Sequence, residues 1–544
     1  MIAAAGGGRA FEAPSDPSRV VLIGFDSATP EILERGMDEG WLPNMTRLRE
    51  RGAYGRLQST SDWLVSSHWS SFSLGVPPNE HGCYHFLQWR PDSMALERNE
   101  PAWMIREPFW REAAATGLRV VTMDVPYTHG PRVPHGTVEM SGWATNELTF
   151  PPYADPPWLE RMAAEAYGGS LRRAGQGLAF EQYAPRPMDD LLRIREQLVD
   201  IADRASRLSL DVMDRAPWDL FVTVFGSVHR AGHMLWSGSS VRGEVTGQTD
   251  DRMQEALRDV YVAVDQAVGR VFEAVDDNVT VLVFSLIGMG PNTSRTDLLP
   301  TMLARILSGD SEAAADHDKL GLIKRLRGAV PLRWRHAIKA ALPLAVQDRL
   351  STFWRAGRIE WARTRAFSLT ADVHGYVRIN LRGREAEGVV EPGAEYDRLC
   401  AEIAEGLLDF RDAATGEPVV DEVARSDVLF GSGARLDALP DLIVRWASTP
   451  CAPTRSVTSP RFGSIPWPTP GKNPNGRSGN HTAEGFVLAS GPGIEADSTL
   501  ADDRHILDLP PTILALLGKE PFSYMTGEVI EEIVPTPIHP GGNP

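Results

Sequence analysis

Short apolar runs rich in β-branched residues alternate with longer amphipathic stretches along most of this 544-residue chain. That alternation constrains the fold more than any other feature. Arg19–Asp26 (RVVLIGFD), Leu118–Asp124, Leu220–Phe225 and Val279–Phe284 (VTVLVF) each read as a strand buried on both faces. Between them, Thr29-Pro30-Glu31 opens a helix, and Leu42-Pro43-Asn44 opens another that runs through Arg51 and ends at Gly52 in the C′ position. Trp110–Gly117, Leu192–Arg215 and Asp251–Val275 read as further helices. Downstream, Tyr376–Leu381 and Asp441–Trp446 read as strands, Glu395–Leu408 and Asp508–Gly518 as helices, and Phe486–Gly491 as a strand returning to the sheet. Strand-then-helix order of this kind predicts an α/β fold, a doubly wound and mostly parallel sheet flanked by helices.

The length suits one large α/β body with a cap, or two to three domains. The expected organisation is a flexible N-terminal tail over 1–18, a first part of the core over 19–300, a helical cap insertion over 301–360, a second part of the core over 361–534 and a disordered tail over 535–544. The cap is read from Lys324, Arg325, Arg327, Arg333, Arg335 and Lys339, which cluster with Leu, Ile and Ala at helical spacing. A formal net charge of −17 argues against a nucleic-acid-binding surface but leaves room for a small anionic metabolite, since a local cation reverses the field inside a cleft. Cys83, Cys400 and Cys451 share no close spacing, which disfavours a disulfide framework or a cysteine-based zinc site. The first residues hold no apolar core of signal-peptide length, and no stretch approaches the ~18 apolar residues that a membrane span needs. A cytoplasmic location without a membrane span is therefore expected; the sequence does not set the oligomeric state.

Chemistry is expected where the Val279–Phe284 strand ends, because open α/β sheets place their sites beyond the carboxyl ends of the strands. There the chain reads Ser285-Leu286-Ile287-Gly288-Met289-Gly290, a Gly-rich turn with two aliphatic residues in it. Two other segments carry donors: Phe225–Trp236 holds His229 and His233 four residues apart, on one face if helical, and Ser478-Gly479-Asn480-His481 holds a third histidine.

An ordered set of local motifs extends these readings. It comprises Ile23-Gly24-Phe25-Asp26, Leu42-Pro43-Asn44, Trp69–Gly75, Glu80-His81-Gly82, Ile379–Glu385, Pro440–Ile443, Gly485–Gly493 and Asp508–Ile513. From about Arg19 to Glu532 the chain resembles the type I phosphodiesterase/nucleotide pyrophosphatase family of the alkaline phosphatase superfamily. The resemblance implies an alkaline phosphatase-like fold and a site in which two divalent metals clamp a phosphoryl group attacked by a Thr or Ser.

Residue by residue, the implied site is altered. One metal of the family is held by an N-terminal Asp, the nucleophile and an Asp-His pair. Asp26 matches the first, but Val65 stands at the nucleophile and Leu286 and Ile287 stand at the pair. The other metal's family ligands are an Asp-x-x-x-His and a late His, matched here by His229 in place of Asp, His233 and His481. Three imidazoles on one cation leave a coordination position open for water or substrate.

The resemblance thus implies a single-metal, three-histidine enzyme acting on a phosphate- or sulfate-ester metabolite, a nucleotide among the candidates. Its metal would be zinc, with iron or manganese as alternatives. Asp26 would serve as base or orienter, Ser66 and Ser67 as substitute hydroxyls if the register slips, and Asn480 and Tyr84 as substrate contacts. Val65, Leu286 and Ile287 are expected to wall off the place of the second metal. Two alternatives stand beside this one: a catalytically inactive pseudoenzyme serving as a binding or scaffold protein, in which His229 hydrogen-bonds Asp26 or a backbone carbonyl without metal, and a two-metal phosphodiesterase with replacement ligands. His81 and His85 are read as structural.

Overall fold

The computed structural model describes residues 19–131, 135–145, 150–168, 188–236, 255–308, 360–451, 453–467 and 477–534. The tails over 1–18 and 535–544, and nearly all of the basic cap, lie outside the described residues. The chain divides into two compact units, one drawn from Met1–His81, Glu100–Asn292 and Asn475–Pro544, the other from Gly82–Asn99 and Thr293–Pro474. The stretch 361–534, read from sequence as one part of a single core, is shared between them; its described residues up to Trp467 contribute to an apolar core of the second unit.

In the first unit the strands are β1 (Arg19–Phe25), β2 (Gly52–Leu57), β3 (Val120–Met123), β4 (Val138–Ser141), β5 (Tyr153–Asp155), β6 (Leu220–Phe225), β7 (Val279–Ser285), β8 (Gly288–Pro291), β9 (Gly479–Thr482), β10 (Gly485–Ser490) and β11 (Ser498–Thr499). Among the described residues a nine-stranded sheet runs in the order β11-β2-β10-β7-β1-β6-β3-β4-β5. From β7 to β4 all pairs are parallel. β10 is antiparallel to both β2 and β7, and β5 to β4. The parallel strands are buried on both faces, as their unbroken apolar sequence requires.

Alternation along β1 separates the two cores. Val21, Ile23 and Phe25 face a layer formed by helices α1 (Pro30–Asp38), α2 (Pro43–Glu50), α3 (Met188–Arg215), α4 (Ser227–Leu235) and α5 (Ala256–Glu273). Val20 and Leu22 face Trp69, Phe72, Trp110, Ile513 and Leu514. Gly52 follows the C-cap Arg51 of α2, as expected, and also opens β2, where a Cβ would lie 1.9 Å from the Ala489 carbonyl. One local expectation is corrected. Residues 288–291 are not a turn but β8, which pairs antiparallel with β9 in a separate two-stranded ribbon.

The second unit holds a four-stranded antiparallel sheet of Ala366–Leu369, Gly375–Ile379, Leu442–Trp446 and Val420–Arg425. Its family motifs form a buried ion network: Arg378 pairs with Glu385 at 2.7 Å and Arg384 with Asp441 at 2.7 Å. Burial would raise the Asp441 carboxyl, but Arg384 and Arg378 hold it below its ordinary range. The Ile379–Glu385 and Pro440–Ile443 motifs are therefore structural in this unit.

Candidate metal centre

The carboxyl ends of β6, β1 and β7 lie side by side, with Phe25 opposite both Phe225 and Ser285. Asp26 follows β1 directly, and α4 starts two residues after β6. Helical spacing on α4 brings the His229 and His233 rings to 4.8 Å between centroids. His481 arrives on β9, opposite Met289 of β8, and its ring centroid lies 4.9 Å from His229 and 4.8 Å from His233. All three imidazoles offer a nitrogen within 4.8 Å of the others, and among the described residues no other group of three or more His, Cys, Asp or Glu side chains is so placed.

Glycines make this approach sterically feasible. A Cβ on Gly479 would sit 2.2 Å from the Gly232 carbonyl, and one on Gly232 would sit 2.7 Å from Met289 Cε. The ribbon is also tied to the turn after β1. Thr29 Oγ1 donates to the Met289 carbonyl at 2.8 Å and accepts from its N–H at 3.0 Å, while Ser285 Oγ accepts from Ala28 N–H at 2.8 Å.

The hydrogen bonds set the tautomers. His229 Nδ1 lies 2.7 Å from Asp26 Oδ2, and His233 Nδ1 lies 2.9 Å from the Gly479 carbonyl. Both partners are acceptors, so both Nδ1 atoms carry the proton. This turns the two Nε2 lone pairs toward each other at 3.0 Å. Lone pairs at that distance repel unless a cation or a proton lies between them. Burial, and then the charges of Arg477, His481 and His229, hold His233 well below the usual histidine range, which disfavours a proton there. Zinc–nitrogen bonds of ~2.0–2.1 Å at a tetrahedral angle put two ligand nitrogens roughly 3.3 Å apart, close to the separation found. The donor set fits one divalent cation.

Asp26 has both oxygens engaged, since Trp69 Nε1 donates to Oδ1 at 2.7 Å. Burial alone would raise its carboxyl, but His229, His68 and the Trp69 indole lower it below the ordinary carboxylate range. Val65, Leu286 and Ile287 are all buried and carry no donor atom, so the family's second cation does not fit there. Leu286 packs into the Trp69–Phe284 core, while the Val65 carbonyl accepts from His68 Nδ1 and Ser61 Oγ.

Ser67 Oγ is hydrogen-bonded to Thr60 at 2.8 Å, in a buried chain that continues through Ser71 to His81 Nε2. Ser66 is buried in the same single turn. Asn480 Oδ1 accepts from the His481 N–H at 3.0 Å, so this side chain shapes the ribbon. Tyr84 belongs to the second unit, where it is fully buried, receives the Trp89 N–H at 2.8 Å and packs edge-on against Tyr376. His85 lies in the same unit, 3.6 Å from Asp372. Sequence reasoning missed Ser27, Thr29 and Trp69 as parts of the site. Trp69 stood in a family motif, while Ser27 and Thr29 gave no signal beyond adjacency to Asp26.

The family model for type I phosphodiesterase/nucleotide pyrophosphatase matches residues 20–450. The chain belongs to that family. Similar solved structures include phosphonoacetate hydrolase from Sinorhizobium meliloti 1021 with phosphonoformate, at 13% identity and a TM-score of 0.45, covering 94% of this chain and 97% of that one. Human ectonucleotide pyrophosphatase/phosphodiesterase 5 is similar at 11% identity and 0.45, with 94% and 97% covered. Its murine counterpart in complex with AMP is similar at 10% and 0.46, with 92% and 95% covered. No curated protein matches the chain. Among the described residues no helix is long and apolar enough to cross a membrane.

Proposed function

We propose that this family member acts on a phosphate- or sulfate-ester metabolite through one divalent metal, most simply zinc, held by His229, His233 and His481. The observation that carries this reading is the pair of Nε2 atoms facing each other at 3.0 Å while both Nδ1 protons are committed to acceptors. A cation at that point supplies Lewis-acid polarisation of an ester oxygen. The remaining work falls to the protein's own groups. Asp26 orients His229 and keeps its Nδ1 protonated, as carboxylates do behind metal-ligating histidines. With both oxygens engaged, Asp26 is an orienter rather than a general base. The Gly479 carbonyl does the same for His233. The retained donors with an apolar second site favour a chemistry other than the family's covalent two-metal route, with water or a substrate group as nucleophile.

A second reading has its own support: a proton on His229 would also satisfy the facing Nε2 pair, giving a metal-free Asp26–His229 ion pair in a binding protein. Metal analysis of protein purified without chelator separates the two. We expect about one metal per chain, lost in His233→Ala and His481→Ala and weakened roughly 10–100-fold in Asp26→Asn. A metal-free wild type that takes up no added zinc or manganese would select the binding-protein reading, and two metals per chain would contradict both.

A further inference from the structure

Each of the three imidazoles has an outer partner on its Nδ1. For His229 it is Asp26 and for His233 the Gly479 carbonyl. For His481 it is the hydroxyl of Ser27, 3.4 Å away. Ser27 follows Asp26, is 1% exposed, and has φ +139°, a conformation that side chain-bearing residues adopt only under strain, at a cost of about 1–3 kcal/mol. Glycine would take this φ without penalty. The contact that the serine side chain adds is the one to His481. The flanking residues fix the turn: Ala28 N–H is bonded to Ser285 Oγ and Thr29 to both backbone groups of Met289, the residue opposite His481 in the ribbon.

We propose that Ser27 is the positioning residue for His481, its hydroxyl oxygen accepting a hydrogen bond from the His481 Nδ1–H so that Nε2 is presented toward His229 and His233. This rests on the three-histidine reading above. In this arrangement three residues of the turn after β1 serve one centre: Asp26 fixes His229, Ser27 fixes His481, and Thr29 fixes the ribbon that carries His481.

The test uses cobalt(II) alone as probe, with affinity measured by competition against a chromogenic chelator on the full chain, and with a parallel thermal melt without metal. Ser27→Ala removes the hydroxyl and keeps the strain; Ser27→Gly removes both. We expect both variants to bind cobalt about tenfold more weakly, while the Ser27→Gly melting point equals or exceeds the wild-type value. If Ser27→Ala does not fold, Ser27→Gly carries the test alone, since strain cannot unfold it. Wild-type affinity in either variant would overturn the role of the hydroxyl. A wild-type chain that binds no cobalt would overturn the three-histidine reading, and this inference with it.

Discussion

The family resemblance sets Val65, Leu286 and Ile287 at the places of a nucleophile and two ligands, and all three are buried. Restoring one function at a time should therefore fail. Leu286→Asp with Ile287→His places two polar groups in apolar surroundings, and we expect several kcal/mol of lost stability and no rapid hydrolysis of bis-p-nitrophenyl phosphate. Only with Val65→Thr added are the nucleophile and both ligands present together, and groups that act as a unit fail non-additively when one is missing. Turnover near ~10 s⁻¹ in the double variant, measured with zinc or manganese present, would mean that Ser66 or Ser67 already serves as nucleophile. The Ser67 hydroxyl is bonded into the Thr60–Ser71–His81 chain, which such a role would have to break.

The ribbon of β8 and β9 decides whether His481 meets α4. The Gly288-Met289-Gly290 run, read from sequence as a turn, is one strand of that ribbon, and its glycines give room for Thr482. Gly479 is the tightest point, with the Gly232 carbonyl 2.2 Å from where a Cβ would stand. Gly479→Ala must push β9 away from α4 and lengthen the His233–Gly479 bond. We expect a loss of about 1–3 kcal/mol in stability and a drop in zinc affinity of at least tenfold. Gly383→Ala serves as control, since it is also a glycine but stands in open space with nothing near a new Cβ, and its φ of +83° confines its effect to backbone strain. Equal zinc affinity in Gly479→Ala and wild type would show that the ribbon does not position His481.

Across the first unit, acid should be destabilising. Burial depresses His81 to about 3 and His505 to about 4, below the ordinary value of 6.5. A histidine kept neutral in the fold but protonated when unfolded contributes stability above pH 6.5. That contribution is lost as pH falls from 6.5 toward the folded value, because the unfolded chain takes up the proton first. Between pH 7 and pH 5 each should remove roughly 1–2 kcal/mol, by the 1.36 kcal/mol per pH unit of linkage. Urea denaturation at the two pH values should show this fall, and the paired variant His81→Gln with His505→Asn should flatten it. A slope unchanged by the double variant would assign the acid sensitivity to other groups.

What the sequence determined by itself is local. The apolar β-branched runs gave the parallel strands, the four-residue spacing put His229 and His233 on one helical face, and the aliphatic residues at 65, 286 and 287 excluded donors there whatever the fold. These follow from periodicity and side-chain chemistry, which act over a few residues. The tertiary structure decided the rest. Gly479 meets His233 across 246 residues of sequence because a strand register and the close glycine contacts of Gly232, Gly288, Gly290 and Gly479 align them. Which donors reach the two oxygens of Asp26 was likewise decided by the fold, which brings the Trp69 and His229 N–H groups to them from 43 and 203 residues away. The assignment of the described residues 361–467 to the second unit also followed from which apolar residues pack together, which the alternation of strands and helices does not reveal.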